Sequence, residues 1–298
     1  MSKAIVLSGG GSVGIAWQTG LVAGLAAEGV DLRDGDFVIG TSAGSAVGAQ
    51  IALGRDMAQA MERFETTRDN ERPRRATSDR PEGGGSRERM RGLMEVLAKS
   101  GASPTDPKQA RAAIGRFALD AKTVDEASFL RGFSYLEGAT WPAAFRCTSV
   151  DAESGRFKVW DAEAGVDLMA AVASSCAVPG LFPPITLEGR RYIDGGMRSG
   201  TNADIAKGHD RVLIITLMGR RAAGGDGGAR VPGMGIANER ELSILRDAGA
   251  CVETLVPDPE SGEVIGMDLM NPRLAGDAAR AGLRQGKAAA GQLRAFWS

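Results

Sequence analysis

Within the first 53 residues, a short apolar run twice leads into a glycine-rich turn and then into a helix-like stretch. In the first unit residues 4–7 precede the glycines of 9–14, and in the second residues 37–39 precede the turn at 40–45. Strand, glycine turn and helix in repeated order is typical of an α/β layer whose strands run parallel. We therefore predict a three-layer α/β fold, with a mainly parallel central sheet flanked by helices.

Later apolar and alternating runs continue this pattern without an internal repeat or a linker, so we predict that residues 1–298 form a single domain. Residues 68–91 interrupt it with eight arginines against five acidic residues, two prolines and a triple glycine. We expect a mobile surface insertion there, and a second mobile loop at the glycine-rich stretch 219–235. The net charge of the insertion, +3 from eight minus five, would suit an anionic lipid surface, while a solvated loop explains the same composition.

The bulk composition narrows the class of protein and its surroundings. A formal net charge of −1 gives no electrostatic reason to expect a nucleic acid partner. Cys147, Cys176 and Cys251 are widely spaced in apolar contexts, so we expect reduced core residues and a reducing compartment. The N-terminus lacks the pattern of a signal peptide, and the longest apolar segments are too short to span a bilayer. We therefore expect a cytoplasmic protein, with peripheral membrane contact as the alternative.

The turn at residues 40–45 reads GTSAGS, in which Gly40, Ser42 and Gly44 form the pattern G-x-S-x-G. A strand before this pattern and a helix after it are the context of a nucleophile elbow, where the serine adopts strained backbone angles and its neighbours must be small. The Ser42 hydroxyl would then stand above the strand end, at the positive N-terminus of the following helix. We therefore predict that Ser42 is a nucleophile.

The glycines after the first strand have two interpretations. Consecutive glycines let bare N–H groups converge on an anion, so Gly10 and Gly11, assisted by the N–H of Ala43, would form an oxyanion hole. Gly9, Gly11 and Gly14 also satisfy the dinucleotide-binding pattern G-x-G-x-x-G. That fold needs an acidic residue at the end of the second strand, whereas this strand ends in the serine turn. Dinucleotide binding is therefore the less favoured interpretation.

The chain has one histidine, His209, directly before the strand predicted at residues 212–217. If that strand runs parallel to the first two, His209 lies at the amino edge of the sheet and Ser42 at the opposite edge. The base is then expected among carboxylates and lysines at strand ends. Asp194 fits best, because it follows a short strand and precedes two glycines that let another backbone come close, although a plain turn has the same sequence. A carboxylate beside Ser42 can accept its proton and return it to the leaving alcohol.

Taken together, these motifs resemble the patatin-like phospholipase family over roughly residues 4–218. The resemblance rests on the glycine loop, the serine turn and the Asp194 turn, and residues 174–184 are similar to the family's segment before its catalytic aspartate. It implies a patatin-like fold, a Ser42–Asp194 dyad at the carboxyl edge of the sheet, and an oxyanion hole at Gly10 and Gly11. The family often has arginine or lysine where this chain has Val13, so the resemblance supports ester hydrolysis more than a phospholipid preference.

The function implied is hydrolysis of lipid acyl esters, of the phospholipase A or lysophospholipase kind, by a serine esterase. This chemistry needs no cofactor and no metal. Two alternatives share the same site, namely acyl transfer to an acceptor other than water and a catalytically silent protein that binds lipid. The expected partner is in each case a lipid or acyl-ester molecule.

Overall fold

The computed structural model describes residues 1–69, 84–101, 106–217 and 234–298. The strands in these ranges are β1 (Lys3–Leu7), β2 (Phe37–Gly40), β3 (Phe145–Asp151), β4 (Phe157–Trp160), β5 (Ile185–Leu187), β6 (Arg190–Asp194), β7 (Arg211–Ile215) and β8 (Cys251–Leu255). The α-helices in these ranges are α1 (Gly11–Ala27), α2 (Ala43–Ala52), α3 (Met57–Asp69), α4 (Gly84–Gly101), α5 (Pro107–Asp120), α6 (Glu126–Leu130), α7 (Leu168–Ser175), α8 (Met234–Asp247), α9 (Pro259–Ile265) and α10 (Ala275–Trp297).

The strands form one mixed sheet along the pairing path β5-β6-β3-β2-β1-β7-β8, with β4 paired to β3. The pairings that join β3, β2, β1, β7 and β8 are all parallel, as predicted. Strands β4, β5 and β6 pair antiparallel. Only Glu188 and Gly189 connect β5 to β6, and both have positive φ (51° and 72°), as in the tight turns of antiparallel hairpins.

The register places β2 and β6 end to end on the same edge of β3. At Cys147, β3 pairs with both β2 and β4, so these two strands lie on opposite edges of it. At Ser149, β3 pairs with both β4 and β6, so β6 also lies opposite β4. The carboxyl end of β2 at Gly40 therefore faces the carboxyl end of β6 at Asp194, with the level of Thr148 between them.

The sheet separates two apolar clusters, which gives the predicted three layers. Ile5 and Leu7 of β1 belong to the larger cluster, together with residues of α1, α2, α7 and α10. Ala4 and Val6 belong to the smaller cluster on the other face, which includes a leucine of α8. This alternation follows from the two-residue period of a strand, whose successive side chains point to opposite faces.

Much of the two predicted loops falls outside the described residues. Of the insertion predicted at 68–91, residues 70–83 lie outside, and the described ends belong to α3 and α4. Of the glycine-rich loop predicted at 219–235, residues 219–233 lie outside, and α8 begins at Met234. No helix within the described ranges combines the length and apolarity needed to cross a lipid bilayer. The single-domain organisation of residues 1–298 stays a prediction.

Two of the three cysteines are core residues as expected. Cys147 and Cys176 are buried, and burial raises the pKa of both thiols. Cys251 is exposed, so the prediction was wrong for this residue. The reason is its place at the start of β8, which ends the pairing path and has β7 on one side only among the described strands.

Candidate active site

Ser42 occupies the turn between β2 and α2 with a φ of 53° and a ψ of −120°. Such angles are costly for a residue with a side chain and persist only where the surroundings enforce them. A Cβ on Gly40 would lie 2.4 Å from the Gly44 carbonyl oxygen, and one on Gly44 would lie 2.1 Å from the Leu7 carbonyl oxygen. The strained turn predicted from the sequence is therefore present, and only glycine fits at positions 40 and 44.

Side chains at the end of α7 and in α2 hold the backbone of this turn. The Ser42 N–H donates a hydrogen bond to the Ser175 hydroxyl at an N···O distance of 3.0 Å. The Ser42 carbonyl accepts hydrogen bonds from the Cys176 thiol (3.1 Å) and the Ser45 hydroxyl (2.6 Å). Ser175 is not among the site residues predicted from the sequence, where the only signal is a pair of serines that ends an apolar helix.

Asp194 ends β6 and is almost fully buried, with 2% of its surface exposed. Its carboxylate accepts a hydrogen bond from the Gly196 N–H at 2.7 Å, and the nearby Ser42 side chain acts to lower its pKa. Burial raises the pKa of the Asp194 carboxyl to about 7, while the Ser42 side chain and the Gly196 N–H act in the opposite direction. Near neutral pH this carboxyl can therefore both accept and return a proton.

The glycine loop packs against the serine turn. A Cβ on Gly9 would lie 3.4 Å from the Ser42 Cβ, and the Gly9 N–H donates to a backbone carbonyl at 2.9 Å. In the part of the chain that the structure describes, the N–H groups of Gly10, Gly11 and Ala43 make no backbone hydrogen bond. These three residues cap or begin α1 and α2, where the helix dipole favours negative charge.

The segment before α10 also shapes the glycine loop. Gly11 has a φ of 61°, and a Cβ there would lie 2.5 Å from the Leu269 carbonyl oxygen and 2.6 Å from the Met270 sulfur. The same Leu269 carbonyl accepts a hydrogen bond from the Val13 N–H at 3.1 Å. Neither Leu269 nor Met270 is among the predicted site residues, because no local pattern marks a contact between residues so far apart in the chain.

His209 lies at the opposite end of the sheet from Ser42. It precedes β7, which runs parallel to β1 as β2 does. Its ring contacts Phe37, the first residue of β2, at a centroid distance of 4.7 Å, and its Nδ1 lies 2.9 Å from the Ala206 carbonyl oxygen. The prediction that His209 lies at the amino edge of the sheet, away from Ser42, is confirmed.

The end of β2 differs from the one that a dinucleotide-binding fold has. Strand β2 ends at Gly40 and continues into Thr41 and Ser42, so no acidic residue stands where a dinucleotide-binding fold holds the ribose hydroxyls. Among the described residues there is no group of three or more His, Cys, Asp or Glu side chains placed to hold a metal ion.

Comparison with known proteins agrees with this arrangement of motifs. The family model described as patatin-like phospholipase matches residues 5–207. The chain therefore belongs to the patatin-like phospholipase family, and the resemblance predicted from the sequence is confirmed. Membership of this family supports hydrolysis of lipids as the general activity and a lipid as the substrate.

Two bacterial proteins of known structure are similar to the chain at low identity. VipD from Legionella pneumophila is 13% identical with a TM-score of 0.42, over 98% of this chain and 67% of VipD. ExoU, in its complex with SpcU from the type III secretion system of Pseudomonas aeruginosa, is 18% identical with a TM-score of 0.35, over 97% of this chain. The chain spans 52% of the length of that ExoU, about half. Comparison with curated proteins found no match.

Proposed function

We propose that this protein is a serine acyl hydrolase that cleaves carboxylic esters of lipids, with Ser42 as nucleophile and Asp194 as general base. One observation carries the proposal: a serine with strained backbone angles lies close enough to a buried carboxyl to lower its pKa, and burial still raises that pKa to about 7. The strained turn presents the hydroxyl, and the carboxyl has the proton affinity that a base needs near neutral pH.

The reaction follows in two halves. As Ser42 Oγ attacks the ester carbonyl, its proton passes to Asp194, and the C–O bond of the tetrahedral intermediate breaks when Asp194 protonates the leaving alcohol. Water then attacks the acyl-Ser42 ester and loses its proton to Asp194. Collapse of the second intermediate returns the proton to Ser42 and releases the fatty acid. The exchange balances without a cofactor.

The negative oxygen of each tetrahedral intermediate needs hydrogen-bond donors. The N–H groups of Gly10, Gly11 and Ala43 are suited to this role, because they lie at the N-termini of α1 and α2 and make no backbone hydrogen bond in the described chain. Gly9 of the same loop packs against the Ser42 side chain. One such donor contributes about 3 kcal/mol of transition-state stabilisation. Acyl transfer would use the same steps with an alcohol in place of the second water.

A lipid ester in a bilayer is reached only at the membrane surface, so we propose peripheral contact with membranes during turnover. The substrate class can be narrowed by comparing hydrolysis of phospholipid, lysophospholipid and monoacylglycerol across acyl chain lengths. Added glycerol or lysolipid separates the two reactions, because a transferase produces a new ester whereas a hydrolase continues to release fatty acid.

The test of the proposal is the Ser42→Ala variant together with a fluorophosphonate probe. We expect the wild-type protein to hydrolyse a p-nitrophenyl acyl ester and to be labelled on Ser42, as mapped by mass spectrometry of the labelled peptide. The variant should lose both properties while its urea unfolding curve stays close to that of the wild type. Undiminished hydrolysis by Ser42→Ala would refute the assignment, and a wild-type protein that binds lipid without labelling would favour a silent lipid-binding protein.

A further inference from the structure

The gap between the ends of β2 and β6 is filled by buried polar groups. Thr41, which precedes Ser42, has its Oγ1 2.9 Å from Oγ1 of Thr148. Gly195, which follows Asp194, lies so close to Thr148 that a Cβ on it would be 2.2 Å from the same hydroxyl. We call this group of Thr41, Thr148 and Gly195 the dyad junction, because Thr41 precedes Ser42 and Gly195 follows Asp194 in the chain.

Asn202 is fully buried, and its side-chain amide spans the dyad junction. Its Nδ2 lies 2.9 Å from Thr41 Oγ1 and 3.3 Å from the Gly195 carbonyl oxygen. The same nitrogen lies 3.4 Å from Thr148 Oγ1 and 2.8 Å from the Ser199 carbonyl oxygen. An NH₂ group has two hydrogens, so its short hydrogen bonds go to the Ser199 carbonyl and Thr41 Oγ1, and the Gly195 carbonyl shares one of them at a longer distance. The amide therefore lies within hydrogen-bonding distance of residues that flank both members of the proposed dyad.

The orientation of this amide is fixed from its other side. Oδ1 accepts a hydrogen bond from Arg198 Nη1 at 2.8 Å, and because arginine only donates, Nδ2 must face the dyad junction. Arg198 is held in turn by an ion pair with Asp204 at 2.5 Å. Asn202 has a φ of 51°, which asparagine tolerates better than most residues. The amide is therefore preorganised.

The loop that carries Asn202 is anchored separately. Oε2 of Glu241, on α8, accepts hydrogen bonds from the Thr201 hydroxyl (2.5 Å) and the Ala203 N–H (3.0 Å). These bonds act on the chain at either side of Asn202, and Thr201 meets the dyad junction through one long contact, from Thr41 Oγ1 to the Thr201 carbonyl at 3.5 Å. Glu241 is therefore a matched control, since its replacement disturbs the same loop without removing the amide.

We propose that Asn202 is a positioning residue for acyl hydrolysis, which fixes the positions of Ser42 and Asp194 relative to each other by joining Thr41 to Gly195. The inference rests on the proposed function. An apolar side chain would leave buried acceptors unpaired, and an aspartate would place an oxygen against the Gly195 carbonyl. Because the proposed base would accept the proton of the nucleophile without an intervening imidazole, the rate depends directly on their separation.

The test compares four variants by kcat, KM and Tm with a p-nitrophenyl acyl ester. Asn202→Gly removes the amide at a position whose positive φ glycine accepts. We expect its kcat to fall about 100-fold with KM changed by no more than about twofold. Thr41→Val removes the hydroxyl that receives the amide and keeps the branched shape. It should lower kcat alone and add little to Asn202→Gly in the double variant, because both break one link.

A control variant distinguishes a positioning role of Asn202 from a purely structural one. Glu241→Gln should lower Tm as much as Asn202→Gly does, with kcat within about threefold of the wild type. Three results would each contradict the positioning role of Asn202. They are a kcat in Glu241→Gln as low as in Asn202→Gly, a wild-type kcat in Asn202→Gly, and effects of Thr41→Val and Asn202→Gly that add in the double variant. A wild-type protein without Ser42-dependent turnover would instead refute the proposed function itself.

Discussion

Replacing Asp194 with asparagine should make the protein more stable at alkaline pH while abolishing its turnover. Burial raises the pKa of this carboxyl from its ordinary 3.8 to about 7 in the folded protein. Between these two pH values the folded protein holds a proton that the unfolded chain has lost, so the free energy of unfolding falls as pH rises through this window. An asparagine carries no such proton and avoids the loss.

The magnitude follows from the two pKa values. One pKa unit corresponds to about 1.4 kcal/mol, so the gap between 3.8 and about 7 corresponds to roughly 4 kcal/mol once the pH lies above both values. We expect Asp194→Asn to match the wild type near pH 4 and to exceed it by roughly 2 to 4 kcal/mol at pH 9. The asparagine Oδ1 can still accept the hydrogen bond from the Gly196 N–H, so the turn after β6 keeps its cap.

The assay is urea unfolding at several pH values between 4 and 9, followed by the fluorescence of the four tryptophans. Asp151→Asn is a matched control on the neighbouring strand. Asp151 is also buried, which acts to raise its pKa, but hydrogen bonds from Arg190 and Ser154 prevail and the pKa is lowered. Its stabilising contribution is present above the unfolded-state pKa and is lost only as pH falls through the folded-state pKa. Asp151→Asn should therefore be less stable than the wild type at pH 7 and pH 9 alike.

Two results would refute the reasoning. One is a difference in the free energy of unfolding between Asp194→Asn and the wild type that does not change with pH, and the other is an Asp194→Asn variant that is less stable than the wild type at pH 9. The catalytic side of the same prediction is an acid limb in kcat/KM. Wild-type activity should rise with pH to half its maximum near pH 7 as the Asp194 carboxyl ionises. An acid limb near pH 4 would show that burial does not raise the pKa of the base.

Two further predictions concern residues away from the dyad. His209→Ala should keep kcat within about twofold and leave the pH profile unchanged, because the imidazole lies at the other end of β2; a collapse of turnover in a folded variant would overturn the dyad. Gly20→Ala should lower the free energy of unfolding by about 3 kcal/mol or more in urea titrations, since its Cβ would lie 1.9 Å from the Ala279 carbonyl oxygen and force α1 from α10. Gly291 lies in α10 with open space around it, so Gly291→Ala should instead raise the free energy of unfolding by up to about 1 kcal/mol, and equal effects of the two substitutions would contradict this packing argument.

The local part of the fold could be predicted because its signals are local. The pattern of strand, glycine turn and helix extends over only about 15 residues, and the strained backbone angles of Ser42 follow from it. Asp194 was predicted because it ends a short strand and precedes two glycines, without regard to the direction of that strand. Strand β6 is antiparallel, and Asp194 reaches the site only because β6 meets β2 end to end along β3.

The rest of the candidate site could not be predicted, since it consists of contacts between distant parts of the chain. Ser175 supports the backbone of Ser42 across 133 residues, and Asn202 reaches Thr41 across 161. Leu269, which lies against the glycine loop, is beyond the range matched by the family model. Hydrophobic periodicity reports which face of an element is buried and carries no information about which hydroxyl or amide will meet across the sheet.

The proposed mechanism uses no histidine, because burial gives the Asp194 carboxyl the proton affinity that a histidine base would otherwise supply. An aspartate with its ordinary pKa of 3.8 is a weak base near neutral pH, whereas a pKa of about 7 is close to the ~6.5 of free histidine. The same desolvation that strengthens the base destabilises the ionised protein, so base strength and the alkaline loss of stability have one origin. A variant that admits water beside Asp194 should therefore have a lower pKa at this carboxyl. Its free energy of unfolding at pH 9 should rise, and the acid limb of its kcat/KM profile should move to lower pH. A change in only one of these two quantities would show that they do not have the same origin.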